Sequence, residues 1–289
     1  MKKKYIIGIS IVVVLIAIYF LITMYASKVA EERVNLAIAK VANFTAVDYK
    51  KVSVDLLGMN VRISDIVVSP LDATEKIKID EIIIHDIDDK TAIPAFLSIS
   101  INGIELNLQE PGKEATKIRE LGYTDKLLVN LNVDYIYEKE KKELNVKKIG
   151  IGADDAGEIN VSFNLGNINL NPEEILGILF MYPQIILYEA RVTYEDDSLV
   201  ERLIELGAKG ENIDAAEFKM SLIQEINKEI ESEKDDFTKK ALVEIKKFID
   251  DPEELSISVS PSKPCPLGII MLLNDPKDII KLLNIRIKS

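Results

Sequence analysis

Between Val52 and Glu195 the chain repeats one pattern: a short run in which apolar and polar residues alternate, closed by a polar connection. The runs read VSVDL, VRISDIVV, IKIDEIIIHDID, FLSISINGIELNLQ, LLVNLNVDYIY, LNVKKIGIGA, EINVSFNL and IILYEARVTYE. A period of two sends successive side chains to opposite faces, so each run reads as a strand with one apolar side. Links such as EKEKKE (Glu138–Glu143) and ADDAG (Ala153–Gly157) are short enough to join antiparallel neighbours. About eight strands in series imply a broad antiparallel sheet whose apolar face needs a cover.

Within FLSISINGIELNLQ the parity of the apolar positions flips across Asn102-Gly103. A two-residue hairpin and a β-bulge in an unbroken strand both explain the flip. The hairpin pairs Ile101 with Ile104 and Ile99 with Leu106, whereas the bulge keeps all four on one face of one strand.

After Glu195 the period becomes 3.6. Ser198 and Glu201 form a capping-box pattern ahead of Leu199, Val200, Leu203, Ile204 and Leu206. A second helix is expected from about Asp214, and a third carries Phe237, Ala241, Ile245 and Phe248. Another helix is expected at Asn171–Pro183, with Pro172 in its first turn and Pro183 at its end. Strands followed by a block of helices give an α+β fold: a curved, mainly antiparallel sheet of about eight strands with C-terminal amphipathic helices packed on it.

The N-terminus adds a different signal. After MKKK, Tyr5–Tyr25 is a 21-residue run without a charge. A helix of that length reaches roughly 30 Å, the thickness of the bilayer hydrocarbon. It is longer than a secretory h-region and lacks a good cleavage site, so the reading is an uncleaved anchor built on Ile6, Ile7, Val12, Leu15, Phe20 and Leu21. Lys2, Lys3 and Lys4 place the N-terminus in the cytoplasm by the positive-inside rule. The expected organisation is a cytoplasmic stub (1–4), a transmembrane helix (5–25), an amphipathic juxtamembrane helix (26–44) and a periplasmic α+β domain (45–289). That domain divides into sheet (51–195), helices (198–250) and a C-terminal strand and helix (255–289), all in a single-pass inner-membrane protein.

Composition narrows the function. A formal charge of −12, with no basic block beyond the first residues, speaks against nucleic acid as a partner. One cysteine and one histidine exclude a His/Cys metal cage. Cys265 reads as a tolerated small residue and His85 as a solvated surface side chain. No phosphate loop, dinucleotide fingerprint or zincin motif is present. Acidic clusters such as HDIDD and YEDD lie at strand ends and a helix start, where solvation and capping account for them. No catalytic residue, metal or cofactor is expected, and the chain reads as a non-enzyme.

The N-terminal run, the amphipathic helix and then VSVDLLGMNVRISDIVV resemble the opening of AsmA-like envelope proteins, in which a helix precedes a hairpin and a long curved sheet. IPAFLSISINGIEL, LGYTDKL, DDAGEINVSFNLG and VTYEDDSLVERLIELGAKG resemble membrane-anchored periplasmic proteins of the AsmA and YdgA groups. The resemblance favours one bulged strand through Asn102-Gly103. It implies a role in carrying or partitioning lipid through an apolar groove. The expected apolar face is Ile99, Ile101, Ile104, Leu106, Val129, Leu131, Val133, Ile159, Val161 and Phe163. Its expected partner is membrane lipid, with other envelope proteins as further partners. The alternative is a structural or interaction module whose sheet is closed by its own helices.

Overall fold

The computed structural model describes residues 2–71, 76–88, 90–91, 93–109, 113–170 and 182–289, with side chains described except at 2–19 and 114. Two compact units divide the chain: Met1–Asp86 with Ile99–Glu105, and Ile87–Ser98 with Leu106–Ser289.

In the first unit a single helix α1 (Lys2–Val41) leads into strands β1 (Thr45–Asp48), β2 (Lys51–Asp55), β3 (Asn60–Pro70) and β4 (Ile77–Ile87). Both β1 and β2 pair antiparallel with β3, which in turn pairs antiparallel with β4. Opposed apolar pairs, Val61 with Ile84, Ile63 with Ile82 and Ile66 with Ile79, give the β3–β4 ladder one greasy side. Val52, Ile63 and Ile66 are buried there, and Ala30 and Val34 of α1 pack against them. Two hydrogen bonds fix the helix on the strands: Ser27 Oγ accepts from Val54 N at 2.9 Å, and Tyr49 Oη donates to Asn35 Oδ1 at 2.7 Å.

Strand β5 (Phe96–Asn107) runs straight through Asn102-Gly103. Gly103 has φ +68, and a Cβ there would stand 2.2 Å from Asp80 Oδ2. The dipeptide is therefore a bulge that only glycine fits, and it returns Ile104 to the face of Ile101.

In the second unit the strand order is β6 (Lys126–Glu138), β7 (Glu143–Ala153), β8 (Gly157–Gly166), β9 (Ile186–Asp196), β10 (Glu254–Val259) and β12 (Arg286–Lys288). Each pair is antiparallel, and the short β11 (Cys265–Pro266) pairs with the start of β9. Helices are α2 (Lys113–Glu120), α3 (Leu199–Glu211), α4 (Ala215–Ser232), α5 (Asp236–Asp250), α6 (Leu267–Ile270) and α7 (Pro276–Leu283). Asp214 and Asp235 cap α4 and α5 by accepting from Ala216 N and Thr238 N. Two clusters close parts of the sheet. Tyr137, Ile168 and Ile185 form one, and Leu187, Cys265 and Leu283 the other. Cys265 is thus core, and burial pushes its thiol above the ordinary range.

Two expectations need correction. Twelve strands and seven helices occur among the described residues, against a sheet of about eight strands. The additions β1, β11 and β12 are four, two and three residues long, too short to show a period. Moreover, among the described residues no helix is long and apolar enough to cross a membrane. From Phe20 onward the uncharged stretch of α1 lasts only to Ser27, before Lys28, Glu31, Glu32 and Arg33. The side chains of Ile6, Ile7, Val12 and Leu15 lie outside the described residues; Phe20 and Leu21 are exposed. The transmembrane helix is withdrawn, and with it the single-pass inner-membrane placement. The helix expected at Asn171–Pro183 lies outside the described residues up to 181, and Tyr182–Gln184 form one 3-10 turn.

Candidate functional site

Register in the second unit assembles a continuous apolar face. Leu131 opposes Ile151, Ile151 opposes Ile159, Ile159 opposes Tyr194, and Tyr194 opposes Leu255. One step along, Val133, Ile149, Val161, Val192, Ile257 and Ile287 form a second row across six strands. Residues directly opposite share a face, so both rows lie on one side of the sheet. Strands stand about 4.8 Å apart, which makes the longer row roughly 24 Å from end to end.

The ends of this face are covered and its middle is not. Near one end Phe248 of α5 meets the Tyr194 ring edge-on, with centroids 5.9 Å apart. Toward the other, Tyr137, Leu144 and Leu165 belong to the buried cluster around Ile168. In the row of Tyr194 Ile151 is 54% exposed and Ile159 49%, and one step along Ile257 is 43% and Val192 42% exposed. On the opposite, polar face Asn160 Oδ1 and Asn164 Oδ1 are shut off from solvent and unpartnered, while Lys147, Glu189, Arg191 and Glu195 of the same face are exposed. Gly150 and Gly152 of β7 make room on that side; a Cβ at Gly150 would meet Glu158 Oε1 at 2.5 Å. Lys148 Nζ sits 2.8 Å from the same oxygen, a close ion pair off the line of a hydrogen bond.

A polar corner braces this sheet. Arg202 of α3 stacks on Tyr123, donates to Leu121 O at 3.2 Å through Nη1, and donates to Ser198 Oγ at 2.9 Å through Nε. Ser198 Oγ donates to Asp155 O, which also accepts from Tyr123 Oη at 2.7 Å. Tyr194 Oη lies 2.6 Å from Asp196 Oδ1 and 2.9 Å from Ala156 O. Burial, with Asp196 alongside, pushes the Tyr194 hydroxyl far above the ordinary tyrosine range; burial also raises Tyr123, against the pull of Arg202. Each of these side chains has its partners within the corner, so the corner joins α3 to the sheet and leaves no idle nucleophile. His85, in the first unit, is exposed and bridges Asn60 Oδ1 and Ser100 Oγ at 3.2 and 3.0 Å.

Two comparisons bear on the chain. A family model described as "Uncharacterized protein" matches residues 150–289. A protein of Aquifex aeolicus (strain VF5), also described as "Uncharacterized protein", is 26% identical over 292 residues, covering 95% of each chain. Neither description names a ligand or an activity.

Of the residues expected on an apolar face, Val129, Leu131 and Val133 of β6 and Ile159, Val161 and Phe163 of β8 fall on one face of the second unit. Ile99, Ile101 and Ile104 belong to the first unit; Leu106, 43% exposed, belongs to the second. Ile149 and Ile151, which join the two sets, and Val192 and Ile257, which extend them, were missed by sequence reasoning. Their signal was the alternation in LNVKKIGIGA, ARVTYE and LSISVS.

Proposed function

We propose that the protein binds lipid, without catalysis, by laying acyl chains along the open apolar band of its second unit. The observation that carries this reading is the exposure of Ile151, Ile159, Val192 and Ile257 on one continuous face. Covering the exposed half of each is worth about 1 kcal/mol. Four such contacts correspond to a dissociation constant of about 1 mM, and the half-buried Leu131, Ile149 and Val161 beside them tighten it further. The open stretch crosses four strands, roughly 14 Å, and suits part of an extended acyl chain, a ligand that needs length and imposes little chemistry. The resemblance of the segments around it to AsmA-like proteins supports the same ligand class.

Titrating the full chain into a fluorescent fatty acid and following anisotropy tests this. Saturable binding that weakens at least fivefold in Ile151→Glu, with unchanged unfolding, is the expected result. A folded wild-type chain that leaves the fatty acid tumbling freely contradicts it, and points to a protein partner for the band.

A further inference from the structure

We infer that the polar face of the second unit carries an anion site: a cleft of about 520 Å³ ringed by Lys147, Arg191 and Arg286, built to hold phosphoryl groups. This inference is independent of the lipid reading, because it uses the opposite face of the sheet.

Register sets the cations out. Ser162 opposes Arg191, Arg191 opposes Ser258, and Ser258 opposes Arg286. On β7 the register shift between Val146 and Ile149 sets two residues, Lys147 and Lys148, against the single Ser162. A bulge of this kind brings both lysines to the polar face while Val146 and Ile149 stay on the apolar one. The row therefore alternates cation and serine across five strands, with successive cations two strands, or about 10 Å, apart. Long side chains from such positions reach one anion between them, and the small serines leave the space open and offer hydroxyl donors.

The cleft opens on this side because its apolar lining residues Ala190 and Val259 are packed from the other side by the Leu187–Cys265–Leu283 cluster. Acidic neutralisation is incomplete. Lys147 lies 3.8 Å from Asp134 Oδ1, Lys148 is taken by Glu158, and Glu189 lines the cleft as its one acid among the described residues. Arg286 Nε donates weakly to Asn284 Oδ1 at 3.4 Å. Arg191 has no ion-pair partner among the described residues. In a chain of net charge −12, three cations gathered around one volume run against the composition and repel one another until an anion sits between them. Guanidinium groups favour phosphoryl oxygens, which they bind in pairs.

A phosphoryl group arrives either on a soluble molecule or on a lipid headgroup, and the test separates these. Pyrophosphate is titrated calorimetrically into the full chain at low ionic strength, and vesicles of phosphatidylglycerol are co-sedimented with it in parallel. Arg191→Gln and Ser162→Ala are compared with Lys139→Gln, an exposed turn lysine that does not line the cleft. The expected result is 1:1 pyrophosphate binding that falls at least tenfold in Arg191→Gln and more mildly in Ser162→Ala, with Lys139→Gln unchanged. An Arg191→Gln loss confined to the vesicle arm supports the same site with a headgroup as its source. If neither arm shows binding, or if Lys139→Gln weakens it as much as Arg191→Gln, the site is overturned.

Discussion

The guanidinium carbon of Arg202 stands 4.4 Å from the centroid of the Tyr123 ring, with two of its nitrogens spent on Leu121 O and Ser198 Oγ. Cation–π contact and charged hydrogen bonds of this kind are each worth about 1–2 kcal/mol when half-buried. Arg202→Ala is expected to lower unfolding stability by about 2–3 kcal/mol in urea. Arg202→Lys should recover less than half of that, since an ammonium cannot stack and fork at once.

Two glycines of the second unit give opposite predictions. Gly157 has φ +128, and a Cβ there would stand 2.3 Å from Glu195 O, a rigid backbone atom. Gly157→Ala should cost about 3 kcal/mol from strain and overpacking together. Gly210, inside α3, has nothing within 4 Å of its missing Cβ. Gly210→Ala should stabilise by about 0.5–1 kcal/mol through helix propensity. Paired denaturation curves check both signs.

Tyr194 sets an alkaline limit. Its half-buried hydroxyl sits beside Asp196, and burial and Asp196 together hold it far above the ordinary value of 10.0. The unfolded chain therefore releases this proton first as pH rises. The group's contribution to stability is full below pH 10.0 and is lost progressively above it, toward the folded value. Tyr194→Phe should flatten that decline in unfolding curves recorded from pH 9 upward, with a loss of about 1 kcal/mol at neutral pH from the missing hydrogen bonds.

At the acid end, Asp235 is held below its ordinary 3.8 by the Thr238 backbone N–H it caps, then by Lys277 and the Thr238 hydroxyl. A depressed carboxyl contributes stability above its unfolded value and loses it as pH falls through the folded one. Stability should fall as pH drops below 3.8, and Asp235→Asn should reduce that slope.

Legibility differed from feature to feature. Alternation marked β6, β7 and β8 because their side chains obey a period of two, yet the bulge at Lys147–Lys148 broke the count and hid how Ile149 and Ile151 join the face. Asn102-Gly103 admitted two backbones by composition; the unbroken strand Phe96–Asn107 decides between them, and the Asp80 side chain in the space of a Gly103 Cβ, a contact across strands, explains the glycine. The Arg202–Tyr123 corner was invisible for the same reason, although LGYTDKL, DDAG and VTYEDDSLVERL each supplied a part of it. At the N-terminus, a run of uncharged residues counted on paper as a span, while the described part of α1 turns charged at Lys28 and packs Ala30 and Val34 on a sheet. Exposure of the apolar band depends on which face the helices cover, and hydrophobic patterning carries no record of that.

Native mass spectrometry of the full chain, extracted gently from its own cells and compared with an Ile151→Glu, Ile159→Glu variant, tests lipid binding most directly. Both side chains are about half exposed but directly opposed across β7 and β8, so urea unfolding of the variant is recorded alongside to show that it is folded. The wild-type ions should carry added mass identifiable as acyl lipid, and the variant should appear bare. A bare, folded wild-type chain, or an equal lipid load on both, would contradict the account.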